Sequence, residues 1–100
     1  MIKDGVRLIG LQPQMVLAFV ICEPILKEYG QSIVITSGSD GRHSNGSRHY
    51  CGYGMDLRTR DMADDSKQKA TDTIKLALGG EYYVQLESDH LHISWKGSAC

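Results

Sequence analysis

No part of this sequence stays apolar for long. The longest apolar run, residues 15–22, holds eight residues, whereas a membrane span needs about 20, so no span is expected. Neither sign of charge dominates: Lys and Arg total 11, Asp and Glu total 12, and the formal net charge is -1. That balance argues against nucleic acid as the main partner, because phosphate binding wants a clustered cationic excess. Internal repeats, low-complexity tracts and linkers are also missing. A length of 100 residues allows one domain, not two. The hydrophobic share, 41%, is a little low for a globular protein and well above the disordered class. What remains is a small soluble domain with a modest core, of a kind that often needs a staple.

Cysteine is sparse. Cys22, Cys51 and Cys100 are an odd set without metal-type spacing, and a disulfide framework would need an even set in a secreted chain. Cys22 lies in the apolar run and reads as a buried small hydrophobe. Cys100 reads as exposed, and Cys51 as either a reactive thiol or a spectator on a strand. Lys3 is accompanied by Asp4, the apolar run starts late, and no A-x-A site follows it. No signal peptide is therefore expected. The expectation is cytoplasmic synthesis, so a target outside the cell would require separate delivery.

The pattern of residue types predicts an α+β domain with a small antiparallel sheet of three to four strands and helices packed on one face. Pro13 suits the first turn of a helix. From there Met15, Phe19, Cys22, Leu26 and Tyr29 recur at helical spacing, marking one face. Pro24 should kink or break this helix near residues 20–23, and Gly30 should stop it. Ile33-Val34-Ile35-Thr36 reads as a buried strand. Residues 37–47 are polar and glycine-rich. They read as a loop, and structureless loops of such length are mostly functional. Residues 50–59 read as a strand, with a bulge or close backbone approach expected at Gly52 and Gly54. Asp64 and Asp65 precede a helix over 66–78 whose inner face is marked by Ala63, Ala70, Ile74 and Ala77, and Gly79-Gly80 ends it. Residues 81–86 and 91–95 read as two more strands, with 87–89 as their turn.

All four histidines fall between positions 43 and 92. His90 and His92 flank Leu91 on a predicted strand and therefore share a face. His49 and Asp56 frame the glycine-rich strand start. Two imidazoles and one carboxylate are the ligand set of many catalytic zinc sites, in which a fourth position stays open for water. Histidines scattered through a small domain also serve as surface or hydrogen-bonded residues, so composition alone leaves both readings open.

The motifs narrow the choice. Ser47-Arg48-His49-Tyr50-Cys51-Gly52-Tyr53-Gly54-Met55-Asp56 has the form S-x-H-x-x-G-x-x-x-D, and Asp89-His90-Leu91-His92 follows as D-x-x-H with an embedded H-x-H. The pair resembles the zinc D-alanyl-D-alanine carboxypeptidase family. Its relatives include phage L-alanyl-D-glutamate endopeptidases, vancomycin-resistance dipeptidases and the hedgehog signalling domain. The resemblance covers residues 33–95 and implies a hedgehog/DD-peptidase-like fold with residues 1–100 as a single catalytic domain. It implies His49, Asp56 and His92 as zinc ligands. Asp89 falls at the general-base position, with Glu87 as runner-up. Such a base takes a proton from zinc-activated water and passes it to the leaving amine. His90 falls where the family keeps a histidine beside the metal, poised to hydrogen-bond the tetrahedral intermediate; it is also the alternative ligand to His92. Ser47 matches a serine that contacts the substrate's carboxylate side, or else it is a turn residue.

The chain departs from the family at two points. Relatives often carry an arginine just after the Ser-Gly turn, where it polarises the scissile carbonyl. Here Ser37-Gly38 is followed by Ser39 and Asp40. Arg42 is the candidate for that role, as an electrostatic stabiliser of the oxyanion. Arg48, Arg58 and Arg60 rank behind Arg42 for that role and read otherwise as surface residues. Met55 stands where relatives usually have a small residue, which would reshape the zinc pocket. His43 and Asn45 lie in the same loop as Arg42.

The implied activity is a zinc metallopeptidase acting on peptidoglycan stem peptides, at a D-Ala-D-Ala terminus or an L-Ala-D-Glu-type bond. A phage endolysin or a virion-associated enzyme would fit the expected lack of a signal peptide. The alternative is a non-catalytic zinc-binding module on the same fold, in which the metal adds to folding stability. A metal-free domain with a fortuitous histidine cluster is the third reading. No heptad or obvious apolar patch suggests an obligate dimer, so a monomer is expected.

Overall fold

A computed structural model describes residues 11–37 and 53–97. The order of elements is α1 (Pro13–Glu28), β1 (Ile35–Ser37), β2 (Gly54–Arg58), α2 (Asp64–Leu78), β3 (Tyr82–Leu86) and β4 (His90–Trp95). The four strands form one antiparallel sheet in the order β1-β2-β4-β3. The helices pack on each other, α2 also on β3 and α1 on β4. This is the α+β arrangement that the residue patterns predict.

Helix α1 has Pro13 in its first turn. Its end satisfies the last carbonyls through a left-handed glycine. Gly30 has φ +92°, Gly30 N–H donates to Lys27 O (3.1 Å) and Gln31 N–H to Leu26 O (2.9 Å), the paired bonds of a Schellman stop. Met15, Ala18, Cys22 and Leu26 are buried. The break expected at Pro24 does not occur, and the helix runs through it. Pro24 and Val20 both lie on the exposed side, so water can solvate the Val20 carbonyl that proline cannot bond.

Helix α2 begins two residues earlier than expected, with Asp64 and Asp65 in its first turn, where carboxylates complement the helix dipole. Its buried face is Ala70, Thr71, Ile74 and Leu78. Ala63 and Ala77 are exposed, so the inner face is rotated from the predicted one. Thr71 tolerates burial because its hydroxyl donates to Lys67 O at 2.7 Å.

Alternation along β2 and β4 sorts the sheet into two faces. Ile35, Met55, Leu57, Leu91 and Ile93 join the buried residues of both helices in one hydrophobic cluster. Each such Leu, Ile or Met contributes about 1.5–3 kcal/mol of burial. Met55 belongs to this core, fully buried and opposite Ile93. It therefore points away from the sheet's other face, where a reshaped metal pocket was expected. Gln31 fastens the chain after α1: its Oε1 accepts the Asp61 N–H at 2.9 Å, and its amide nitrogen donates to Ser32 O at 2.9 Å.

Candidate active site

The open face of the sheet carries Asp56, Arg58, His90, His92 and Ser94. In the β2–β4 register Asp56 lies opposite His92 and Arg58 opposite His90, and cross-strand partners project to the same side. His92 is also opposite Gln85 on β3. A carboxylate, two imidazoles and a guanidinium thus share one surface because each occupies an alternate position on two adjacent strands.

Asp56 is the centre of this group, with its side chain only 14% exposed. Its Oδ1 lies 2.9 Å from His92 Nδ1 and 3.7 Å from His90 Nε2. His90 Nδ1 in turn lies 2.6 Å from Asp89 Oδ1. Asp89 sits in the three-residue connection between β3 and β4, where Glu87 N–H donates to His90 O at 2.8 Å, and its side chain is 84% exposed. Glu87 is exposed as well. The chain Asp89–His90–Asp56–His92 therefore links the hairpin turn to the central strand.

A bulge lies beside this group. Ile35 pairs with Leu57 and Ser37 with Asp56, so β1 holds one extra residue there. Sheets often use such bulges to re-aim a side chain next to a site. A bulge or a close backbone approach was expected at Gly52 and Gly54; Gly54 pairs regularly with Ser94 and the bulge falls in β1, while Gly52 lies outside the described residues. Thr36, inside the bulge, donates its hydroxyl to Asp56 O at 3.4 Å.

Two clefts flank the histidines. One, of about 350 Å³, is lined by Tyr83, Val84, Gln85, His92 and Ser94. The other, of about 250 Å³, is lined by Thr36, Arg58, Arg60, Asp89 and His90.

Of the residues singled out in the sequence, Asp56, Asp89, His90 and His92 come together on this face. His49, Ser47 and Arg42 lie outside the described residues, as do His43, Asn45, Arg48, Cys51 and Cys100. Among the described residues no group of three His, Cys, Asp or Glu side chains is arranged to hold a metal. Asp56 Oδ1 and His92 Nδ1 nevertheless offer the oxygen and nitrogen donors that zinc takes, side by side on an open surface. The donor chemistry of these two residues fits zinc; His49, the third ligand that the resemblance implies, lies outside the described residues.

The sequence ranks Arg58 and Arg60 behind Arg42 and otherwise as surface residues, and the structure lines a cleft with them beside His90. A usable signal existed for Arg58: it stands two positions after Asp56 on a strand, which puts both on one face. Thr36 carried no such signal, because a bulge decides where it points. Cys22 is buried and free, and burial pushes its thiol up to about 12, which keeps it unreactive. No helix among the described residues is long and apolar enough to cross a membrane. No family model, curated protein or solved structure matches this chain.

Proposed function

We propose that the chain is a zinc metallopeptidase that hydrolyses peptide bonds in peptidoglycan stem peptides, on a hedgehog/DD-peptidase-like variant of its α+β fold. The observation that carries this reading is the apposition of Asp56 Oδ1 and His92 Nδ1 at 2.9 Å on the open face, where His92 and His90 each line an open cleft. These are two of the three ligands that the paired motifs imply, and residues 36 positions apart in the chain meet there.

His49, Asp56 and His92 would hold the zinc. When bound, the ion supplies Lewis-acid polarisation of the scissile carbonyl and makes water a nucleophile near neutral pH. Asp89 takes the proton released by the attacking water and returns it to the leaving amine. His90 orients that carboxylate through the 2.6 Å contact at Nδ1 and presents its other face toward Asp56. Ser47 contacts the substrate, and Arg42 stabilises the developing oxyanion. The strong exposure of Asp89 favours a second reading, a zinc-binding module without catalysis, in which that residue is only a solvated turn carboxylate.

Metal analysis combined with mass spectrometry of digested cell-wall peptides separates the two. The wild-type protein should hold one zinc per chain. His49→Ala, Asp56→Ala and His92→Ala should lose it. Asp89→Ala should keep zinc while hydrolysis falls by about 10²–10⁴-fold. Full activity in metal-loaded Asp89→Ala removes that residue from the role of base. A wild-type protein that holds zinc and cleaves no stem peptide establishes the binding-module reading instead.

A further inference from the structure

The two clefts beside the histidines differ in charge. Among the described residues the cleft at His92 is lined otherwise by Tyr83, Val84, Gln85 and Ser94, none of them charged, with Lys96 Nζ 4.7 Å from the Tyr83 ring centroid. The cleft at His90 has two guanidinium groups, Arg58 and Arg60, with the hydroxyl-bearing Thr36 of edge strand β1 in its lining. Among the described residues neither arginine has an ion-pair partner. Asp89, the one carboxylate among the described lining residues, contacts His90 instead, and at 84% exposure its charge is largely screened by water. Arg58 is half-buried and fixed opposite His90 by the strand register, so part of the cleft's cationic wall is held on rigid sheet. An unpaired guanidinium in a concave site is a ready donor to a planar oxyanion.

We infer that the cleft formed by Thr36, Arg58, Arg60 and His90 binds a carboxylate of a peptide ligand beside the Asp56–His92 pair, while the cleft at His92, whose described lining holds no arginine, takes the remainder of the peptide. As a carboxylate subsite it deepens the proposed peptidase reading and rests on it for the identity of the ligand as peptide. The binding itself is measurable without catalysis. The two clefts then set substrate direction: the acidic end lies over Arg58 and Arg60, the neutral chain over Tyr83 and Gln85.

The test is an NMR titration of the full chain with acetyl-D-alanine, with its C-terminal amide, and with inorganic phosphate. The acid should bind about tenfold tighter than the amide or better, as charge-assisted hydrogen bonds predict. The shifted backbone resonances should include those of Thr36, Arg58, Arg60 and His90. Arg60→Gln, at an exposed position, should remove most of the preference with the fold intact by circular dichroism. Arg58→Gln should do the same, and Arg58→Lys should retain part of it, since lysine keeps the charge without the planar fork. Equal binding of acid and amide overturns the inference, as do shifts confined to other surfaces. Phosphate binding as tight as the acid overturns the assignment to a carboxylate. Selective binding of the acid by a protein that cleaves no stem peptide leaves the subsite standing and removes the peptidase reading. Stem-peptide cleavage indifferent to both arginine substitutions does the reverse.

Discussion

Cys22 and Tyr82 show how burial sets chemistry one side chain at a time. Cys22 is fully buried in the helix–sheet core, and the cost of placing a thiolate there raises its pKa from 9.0 to about 12. Tyr82 is also shifted up, first by desolvation, then by the charges of Glu81 and Cys22. Its hydroxyl donates to Gln14 O at 2.8 Å, a bond that a phenolate cannot make. In both cases the folded state holds its proton to higher pH than the unfolded chain does. The stability contributed is complete below about pH 9, the unfolded thiol's range, and is lost as pH rises toward 12. Denaturant unfolding at pH 8, 9, 10 and 11 should give a falling series of midpoints, with a shallower fall in Cys22→Ala. Iodoacetamide at pH 8 should leave native Cys22 unmodified in a peptide map and should alkylate it once the chain is unfolded. Modification of Cys22 in the native protein at a rate equal to the unfolded one would contradict its placement in the core.

The elements are less uniform than their sequence patterns. Helix α1 keeps its hydrogen-bonded course across Pro24, although proline inside a helix removes one bond and crowds the preceding turn. The helix tolerates this because its other face is anchored by Met15, Ala18, Cys22 and Leu26, and packing supplies most of the stability of a helix in a protein. Pro24→Ala should therefore stabilise the domain by about 1 kcal/mol or more, raising Tm by about 4–8 °C per kcal/mol, as calorimetry would show. A lower Tm for Pro24→Ala would mean that the ring itself packs against a neighbour. At the other end of α1, Gly30 holds φ +92° with nothing within 4 Å of a built Cβ. Gly30→Ala is thus strained by conformation alone, costing about 1 kcal/mol. The strands carry a different lesson. The β3–β4 hairpin and the β2–β4 register, not any single element, put Asp56 opposite His92, and a slip of one residue would send both histidines into the core face.

At the scale of the whole molecule, the proposed metal couples function to folding. A metal held by His49, Asp56 and His92 would tie the central strand β2 to the C-terminal hairpin, and Asp56 and His92 are 36 positions apart in the chain. A ligand bound only by the folded state adds stability by mass action, about 2.7 kcal/mol at about 100 times its dissociation constant. Treatment with EDTA should accordingly lower Tm, zinc should restore it, and Asp56→Ala should be insensitive to both; a Tm indifferent to chelator in the wild type would remove the proposed staple. Much of this architecture was legible in the sequence alone. Helical spacing, the Gly30 and Gly79 stops and the β-branched run near Ile35 determined an α+β domain, because period and backbone freedom are local properties. The alternation of His90 and His92 likewise determined that they share a face. The rotation of α2, the direction of Met55 and the continuity of α1 through Pro24 were decided by packing, since they depend on which surface another element covers. The apposition of Asp56 with His92, and of Arg58 with His90, was decided only by tertiary structure: strand order and register bring together groups that no short-range pattern connects.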